Sequence, residues 1–442
     1  MNTVVNAFSG LDDNERHTFF LHIGFSLLDG LILGTLTLND FVFIRQFSPG
    51  PFKVSLLFQL SVIVLPFSIF FTYFFEKVKN KKRLLYQIGL GTRIPLFLFL
   101  FFPMLMQKLP LGIMQDIFLL VFLLFYFATP FTIPLINQLL KANYAPEKMG
   151  KLYSYSWSVN MLTMLVSSLI FGRILDDHPN AYVYVYPMLG LLGLVSIYLI
   201  SKIKSEQVER EFEELSLLGS WKNTLVNTID ILKENKPFRD FQWGLMIYGM
   251  AFLMNLGVVA LFFSQVLNLG YSQMAGYKAI GHGLSLLTFP LFGLLLDRND
   301  PRKFGTISFT LAAVFFGFLI LSAFFPFSFN VWGQQVLLFV VVGYLFYGFF
   351  QSSMTILWGI GSSYFAPPNE VATYQSIHCT LTGIRGIAAP FVGTAIFTIG
   401  SYFGTISGFV TAFGVSIVLL GFSIWLMKKS MKRHKMIIHQ EA

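Results

Sequence analysis

The chain consists mainly of long apolar runs that are separated by short stretches of charged residues, proline or glycine. Twelve of the runs suffice to span a bilayer, since a helix needs about 20 apolar residues to cross its roughly 30 Å hydrocarbon core. Their predicted bounds are 17–40, 54–75, 84–106, 115–140, 152–175, 182–203, 240–266, 271–296, 304–326, 335–362, 372–399 and 404–427. The sequence therefore predicts an all-α integral membrane protein with twelve transmembrane helices, here called spans 1 to 12.

The composition agrees with this pattern. Of the 442 residues, 55% are hydrophobic and only 12% are charged, whereas soluble domains carry about 25% charged residues. A soluble enzyme is therefore excluded. The single cysteine, Cys379, lies in an apolar run, so we expect no disulfide framework, no cysteine-based metal site and no cofactor. The sequence also lacks a phosphate-binding G-x-x-x-x-G-K-[ST] loop, so ATP-driven pumping by this chain is not expected.

The basic residues predict the orientation of the spans. If both termini are cytosolic, most of the 31 Lys and Arg residues fall in cytosolic segments, and only Arg45, Lys53 and Lys108 lie in outer loops. Basic residues resist translocation, so this bias fixes the orientation. We expect both termini in the cytosol and the protein in the inner membrane of a bacterial-type cell. The residues before span 1 lack the basic region of a cleavable signal.

The net charge of +9 is explained by this topology without nucleic acid. The basic tail around Lys428 and Lys432 is expected to rest on anionic lipid headgroups. The partner predicted from the charge is therefore the lipid bilayer, and no nucleic acid is expected.

The two halves of the chain share a repeated pattern. A shift of 221 residues places the charges after span 2 on those after span 8. The coinciding pairs are Glu76 with Asp297, Lys77 with Arg298, Lys81 with Arg302 and Lys82 with Lys303. This register predicts two six-helix bundles, residues 1–203 and 237–442. The charged segment 204–236 between them reads as an amphipathic cytosolic linker that lies on the membrane, with Trp221, Leu225, Ile229 and Leu232 on one face.

The pattern Gly293-x-x-x-Asp297-Arg298-x-x-x-Arg302-Lys303, placed between spans 8 and 9 of two six-helix halves, resembles the major facilitator superfamily. The resemblance implies a monomeric secondary transporter, not an enzyme, that works by alternating access around a midplane site. It also implies a cytosolic gate. The gate residues would be Asp297, Arg298, Arg302, Glu76 and Lys77. The first-half copy departs from the family pattern, and the alternative is that these bases only follow the positive-inside rule.

Four charged residues lie well inside predicted spans, away from the span ends: Asp29, Arg93, Lys278 and Arg385. A charge in hydrocarbon costs about 2.5–3.5 kcal/mol even on the gentler insertion scale, so each needs a reason. His22, Ser26 and Asp29 share one helical face. The same spacing recurs in Lys278, His282 and Ser285 and in His378, Thr382 and Arg385. Three polar stripes of one geometry predict helices that face a water-filled cavity.

Asp29 is the proton-coupling candidate, because a carboxyl group in a partly dehydrated cavity can alternate between protonated and ionised forms. The alternative is that Asp29 is the permanent ion-pair partner of Arg93 or Arg385. Arg93 is correspondingly either a site residue or the structural partner of Asp29. The histidines of the stripes, including His22, are relay candidates or simply hydrogen-bonded side chains.

Bases outnumber acids in the predicted cavity, which favours an anionic or acid-bearing solute. The predicted substrate-binding residues are Arg385, Lys278, His282, Arg93, Tyr126, Asn255, Gln351 and Trp358. The aromatic and amide groups among them suit sugar-like or aromatic solutes as well.

Three other functions are weighed against this one. In a drug or apolar-compound proton antiporter of the superfamily, span 5 would carry a Gly-rich, Pro-containing motif, which is absent between Trp157 and Gly172. An integral membrane enzyme would need a His/Asp/Glu cluster near one membrane face, and no such spacing occurs. A transporter-like membrane sensor is the remaining alternative.

Overall fold

The structure is a computed structural model that describes residues 10–49, 51–69, 81–204, 217–269, 271–331 and 334–434. Within these residues, eleven helices are long and apolar enough to cross a membrane. They correspond to predicted spans 1 and 3 to 12, so the predicted fold class is confirmed. The last residues of predicted span 2, 70–75, lie outside the described residues. The predicted gate residues Glu76 and Lys77, which follow that span, lie outside them too.

Unit 1 contains the described residues of 1–226 and 366–380. It carries the first six spans. They run as span 1 (Asp13–Leu36, then Asn39–Phe47), span 2 (Pro51–Ile63 and the 3₁₀ turn Leu65–Phe67), span 3 (Lys81–Arg93, the 3₁₀ segment Ile94–Phe101 and Phe102–Lys108), span 4 (Leu111–Tyr126 and Thr129–Asn143), span 5 (Pro146–Asp177) and span 6 (Tyr182–Ser201).

A capping box starts span 1. The Asp12 side chain accepts a hydrogen bond from the Glu15 amide, and the Glu15 side chain accepts one from the Asp12 amide. This exchange satisfies amides that the first turn leaves without helical partners. The buried Glu15 carboxylate also accepts from Lys148 Nζ at 2.8 Å and from the Ala145 amide at 3.1 Å. The start of span 1 is therefore tied to the start of span 5.

Spans 1 and 5 approach closely along glycines of span 1. A methyl group on Gly30 would overlap the Asn160 carbonyl and the Thr163 hydroxyl, and one on Gly34 would overlap the Met164 carbonyl. Small residues allow such close helix packing in membranes, where water does not drive association. This contact fixes the face of span 1 that carries Asp29.

Aromatic rings fill the core between spans 3, 4 and 6. The ring centroids of Phe99 and Tyr186 lie 4.7 Å apart, and those of Phe118 and Phe122 lie 4.9 Å apart. All four side chains are fully buried. Such ring pairs add specific geometry to the packing, so these spans form a rigid scaffold.

Part of the predicted second half belongs to unit 1. Residues 366–380 group with the first six spans, whereas the repeat assigned them to residues 237–442. Lys141 Nζ donates to the Ala366 carbonyl at 2.8 Å, and the Thr380 hydroxyl accepts from the Ile69 amide at 3.0 Å. These hydrogen bonds hold the segment against spans 2 and 4.

Unit 2 contains the described residues of 227–365 and 381–442. It carries the remaining spans and a hairpin. They run as span 7 (Lys236–Leu253 and Leu256–Gln265), span 8 (Tyr271–Asp297), span 9 (Pro301–Phe324), strands Ser328–Val331 and Gln334–Leu337, span 10 (Leu338–Ile360 and the 3₁₀ segment Gly361–Phe365), span 11 (Val371–Ser401) and span 12 (Thr405–Arg433). Of span 11, the part from residue 381 onwards belongs to unit 2.

The hairpin was not predicted, and the expected start of span 10 at 335 is wrong by a few residues. Residue 328 pairs with Leu337 and residue 331 with Gln334 in an antiparallel ladder. Pro326 follows the end of span 9 and cannot donate a helical hydrogen bond. The Leu337 amide then donates to the Tyr277 hydroxyl at 2.8 Å, which anchors the hairpin to span 8.

The predicted linker contains a helix, Leu217–Glu234. Residues 205–216 and the side chains of 217–225, including Trp221 and Leu225, lie outside the description. Val226 and Ile229 each leave about half of their surface exposed (49% and 50%). An exposed apolar pair one turn apart suits a helix at a membrane surface, and that location stays a prediction.

We predict that Gly30→Ala lowers the thermal unfolding temperature of the purified protein by several degrees. The added methyl group must push spans 1 and 5 apart, and such overpacking costs about 1–3 kcal/mol. The matched control is Gly91→Ala in span 3, where an added methyl group meets nothing within 4 Å. Equal unfolding temperatures for the two variants would contradict the close contact.

Candidate functional site

Asp29 lies on span 1 with one neutral hydrogen-bond donor. The Asn160 side-chain amide donates to Asp29 Oδ2 at 3.2 Å and to the Ser26 carbonyl at 3.1 Å. Asn160 is buried, and Asp29 is partly buried. The close packing at Gly30 places Asn160 beside Asp29. The carboxyl group is therefore positioned by an amide rather than by a base.

Arg93 ends the α-helical part of span 3, where the helix tightens into the 3₁₀ segment. Its Nη1 donates to the Phe125 carbonyl at 3.0 Å, and its guanidinium carbon lies 4.1 Å from the centroid of the Phe125 ring. A methyl group on Gly193 would come within 2.8 Å of Arg93 Nε. The guanidinium is thus held between spans 4 and 6, and cation–π attraction contributes to its stability.

Asp29 and Arg93 attract each other electrostatically. Between described atoms, however, they form no hydrogen bond, and no nitrogen–oxygen pair of theirs lies within 4 Å. The structural partnership considered for Arg93 is therefore a longer-range attraction. Among the described atoms, the Asp29 carboxylate is therefore held by no direct salt bridge.

Arg385 is the second buried guanidinium. It leaves 5% of its surface exposed, its Nη1 donates to the Leu245 carbonyl, and it lies 5.8 Å from the centroid of the Tyr248 ring. Within the described part of the chain it has no carboxylate partner, and its Nε makes no hydrogen bond. A buried cation without a counter-ion is costly.

Arg93 and Arg385 share one kind of support. Each donates to a backbone carbonyl of a neighbouring helix, faces an aromatic ring and lies against a glycine, Gly193 for Arg93 and Gly249 for Arg385. Sequence reasoning missed both glycines. A glycine inside an apolar helix usually has a packing or functional reason, so the sequence did mark both positions. It did not show that an arginine packs against each of them.

Lys278 and His282 lie one turn apart on span 8, as predicted. Lys278 is exposed, while His282 is partly buried and faces the Tyr347 ring edge-on at 6.3 Å between centroids. The two basic groups interact electrostatically. Among described residues, His282 Nδ1 has no hydrogen-bond partner, and neither side chain contacts Arg385.

The remaining predicted binding residues are dispersed. Tyr126 meets the Phe125 ring edge-on at 5.3 Å and so lies close to Arg93. Trp358 donates to the Thr382 hydroxyl at 3.2 Å. Gln351 is partly buried. Asn255 is buried and donates to Ala251 and Ser416, so it faces span 12. Their roles in substrate binding stay predictions.

The predicted gate residues differ in their surroundings. Arg302 is fully buried, and its guanidinium donates to both oxygens of Asp300, to the Ser430 hydroxyl and to the His434 carbonyl. These partners all lie in unit 2, so Arg302 joins the start of span 9 to the end of span 12. Asp297 accepts from the Tyr364 hydroxyl at 2.8 Å, and Arg298 is exposed.

Sequence reasoning missed Asp300 and Tyr364. Asp300 carried a signal, since an acidic residue before Pro301 is a typical helix start. Tyr364 carried none, because it lies more than sixty residues along the chain from Asp297. The gating roles of Asp297, Arg298 and Arg302 remain predictions.

Comparison with known proteins decides the family. The family model of the major facilitator superfamily matches residues 18–390. The chain belongs to the major facilitator superfamily. No curated protein matches it in sequence, so the membership does not extend to a subfamily.

Solved structures of superfamily-type transporters show the same fold. The human organic anion transporter TETRAN has a TM-score of 0.69 at 11% identity, and the match covers 94% of this chain and 100% of the TETRAN chain. A bacterial homologue of the iron transporter ferroportin has a TM-score of 0.67 at 14% identity, and the match covers 96% of this chain and 100% of that homologue. The proton:xylose symporter XylE has a TM-score of 0.64 at 10% identity, and the match covers 93% of this chain and 95% of XylE. At such identities these structures support the superfamily fold and nothing finer.

We predict that Arg302→Met destabilises the protein by about 3 kcal/mol, because it leaves the Asp300 carboxylate without its buried partner. The matched control is Arg298→Met, which removes an exposed base from the same loop. Thermal unfolding of the purified variants measures the difference. If Arg298→Met were the more damaging change, the internal role of Arg302 would be refuted.

Proposed function

We propose that this superfamily member is a secondary active transporter that moves an anionic or acid-bearing small solute together with protons. The observation that carries the proposal is Arg385, a buried guanidinium that has no carboxylate partner among the described residues. A substrate carboxylate or phosphate would restore the lost solvation and accept paired hydrogen bonds from the guanidinium.

The balance of the other charges on the spans supports the same substrate class. Arg93 is buried and only distantly attracted to Asp29, and Lys278, which is exposed, adds a base beside His282. If the negative charge of Asp29 is counted against the positive charge of Arg93, the two bases Arg385 and Lys278 remain. A cavity with fixed positive charge attracts anions and disfavours cations.

Asp29 is the proposed proton carrier. Among the described residues its one hydrogen bond comes from the neutral amide of Asn160, so protonation breaks no direct ion pair there. A carboxyl group whose charge is not fixed by a contacting base can alternate between two protonation states during the transport cycle. That property is what coupling to a proton gradient needs.

Two similar structures fit this proposal at the level of fold. TETRAN is an organic anion transporter, and XylE is a proton symporter. Fold does not determine substrate, so these proteins only show that the architecture accommodates both properties. From the distribution of basic residues we further propose cytosolic termini in the inner membrane of a bacterial-type cell. A monomer is proposed only because the superfamily resemblance implies one.

We predict that Asp29→Asn abolishes accumulation driven by an inward proton gradient but preserves counterflow. The amide cannot bind and release a proton, whereas the substrate path stays intact. Uptake is measured in proteoliposomes with labelled benzoate, succinate and phosphate as anions, xylose as a sugar and tetraphenylphosphonium as a cationic aromatic compound.

The matched control for this experiment is Asp116→Asn, which changes an exposed carboxylate paired with Lys53. It is expected to accumulate the anion as the unchanged protein does. Accumulation that survives in Asp29→Asn would show that Asp29 is structural. Movement of tetraphenylphosphonium alone would refute the anionic substrate and favour efflux of cationic or apolar compounds.

We predict that Arg385→Gln weakens anion binding at least tenfold, because the variant loses a charged donor in a buried site. The half-saturating concentration for the transported anion in counterflow measures this loss. Arg173→Gln, at an exposed position, is the matched control. An unchanged half-saturating concentration in Arg385→Gln would place the anion site elsewhere.

A further inference from the structure

A line of polar side chains leads through unit 1 from Asp29 to the end of span 1 that carries the capping box. His22 lies on the same helical face as Asp29, seven residues earlier, which is about 10 Å along the helix axis. Ser26 lies between them and is buried. The proposed function uses Asp29 but gives no path by which a proton reaches it.

The His22 ring is enclosed by groups that can exchange protons. The ring is 3% exposed, and its Nδ1 lies 3.2 Å from the Tyr144 hydroxyl and 3.1 Å from the Ser156 hydroxyl. Both hydrogen bonds use the same nitrogen. Nε2 forms none with the described residues, so the second nitrogen of the ring is available for another partner.

Tyr153 connects the ring to Asp29. Its centroid lies 5.8 Å from that of His22, and its hydroxyl interacts electrostatically with the Asp29 carboxylate. The distance between His22 and Asp29 along the helix is too long for direct proton transfer, since a proton donor and its acceptor must be within hydrogen-bond reach or joined by a water. Tyr153 contacts the His22 ring and also interacts electrostatically with Asp29, so its hydroxyl or a water is the candidate to bridge the gap.

Tyr144 connects the ring to the membrane face that holds residues 10–15. It follows the end of span 4 directly, and it interacts electrostatically with the buried Glu15 carboxylate. Glu15 in turn contacts Lys148, which is partly exposed and also donates to the Gly10 carbonyl. The chain of groups therefore reaches from Asp29 to the surface.

We propose that His22 relays protons between Asp29 and the membrane face that holds the N-terminal residues; this inference rests on the proposed proton coupling. One proton enters His22 at Nδ1 from the Tyr144 hydroxyl, which is reprotonated from that face. One proton leaves Nε2 towards the Asp29 carboxylate, through the Tyr153 hydroxyl or a water. The ring returns to its neutral form, and Asp29 becomes protonated.

The groups around His22 favour a relay over a fixed charge. The titratable side chains that face it are Tyr144 from the end of span 4, Tyr153 from span 5, and Asp29 and Glu15 from its own helix. The span 6 residue closest to this part of span 1, Leu199, is apolar. No described carboxylate contacts the ring, so neutral imidazole, which can both accept and donate, is the favoured resting form.

The test follows the protonation of Asp29 itself. A caged proton is photolysed in a sample of the full-length protein in lipid nanodiscs, and the rise of the Asp29 carboxyl C=O band is recorded by time-resolved infrared spectroscopy. The band is assigned by its loss in Asp29→Asn. In His22→Gln the rise is expected to be at least tenfold slower, with an unchanged final amplitude. Tyr144→Phe, which removes only the hydroxyl, is expected to slow the rise as well.

The matched control is His178→Gln, which changes an exposed histidine beyond the end of span 5. It is expected to show the rate of the unchanged protein. A normal rate in both His22→Gln and Tyr144→Phe would overturn the relay while leaving proton coupling intact. If no band depends on Asp29, the relay and the proposed proton carrier are both refuted.

Discussion

The architecture depends on how a guanidinium is kept inside a helix bundle. An ion that leaves water loses several kcal/mol of solvation, and something in the protein must offset that loss. Arg93 and Arg385 receive the same partial compensation, a carbonyl of a neighbouring helix and an aromatic ring. The glycines beside them allow the helices to come close enough to supply it. One nitrogen of each guanidinium, Nε, still lacks an acceptor among the described residues, so the compensation is incomplete at both arginines.

The buried acids are arranged differently from the buried bases. Glu15 is held by a lysine and two backbone amides near the end of span 1, so its charge is fixed. Asp29, two helical turns beyond His22, has only the Asn160 amide as a hydrogen-bond partner within the described part of the chain. A carboxylate with a contacting base stabilises the fold, whereas one with a neutral partner can change its charge at low cost. The same side-chain chemistry thus serves structure at one position and suits proton exchange at the other.

Much of the fold followed from the sequence because its cause is local. A run of about 20 apolar residues must form a helix in lipid, wherever the other spans lie, and eleven of the predicted spans appear among the described residues. The hairpin at 328–337 was missed since its first strand fills the short gap between predicted spans 9 and 10 and its second strand overlaps the start of span 10. The partners of the buried charges were missed for another reason. Phe125, Gly193 and Leu245 meet the arginines only through helix packing, which hydropathy does not encode.

The predicted gate shows how a correct motif can lead to an incomplete interpretation. The spacing of Asp297, Arg298 and Arg302 resembles the family pattern, yet the three side chains have unlike surroundings. Arg302 is fully buried and bound to Asp300 and to span 12, while Arg298 is exposed. A base that already has four acceptors in its own unit cannot release them at every transport cycle without a large cost. Arg298, which is exposed, and Asp297, which accepts from Tyr364, are therefore better suited to contacts that form and break. Arg302 is better suited to a permanent contact that holds the start of span 9 to the end of span 12.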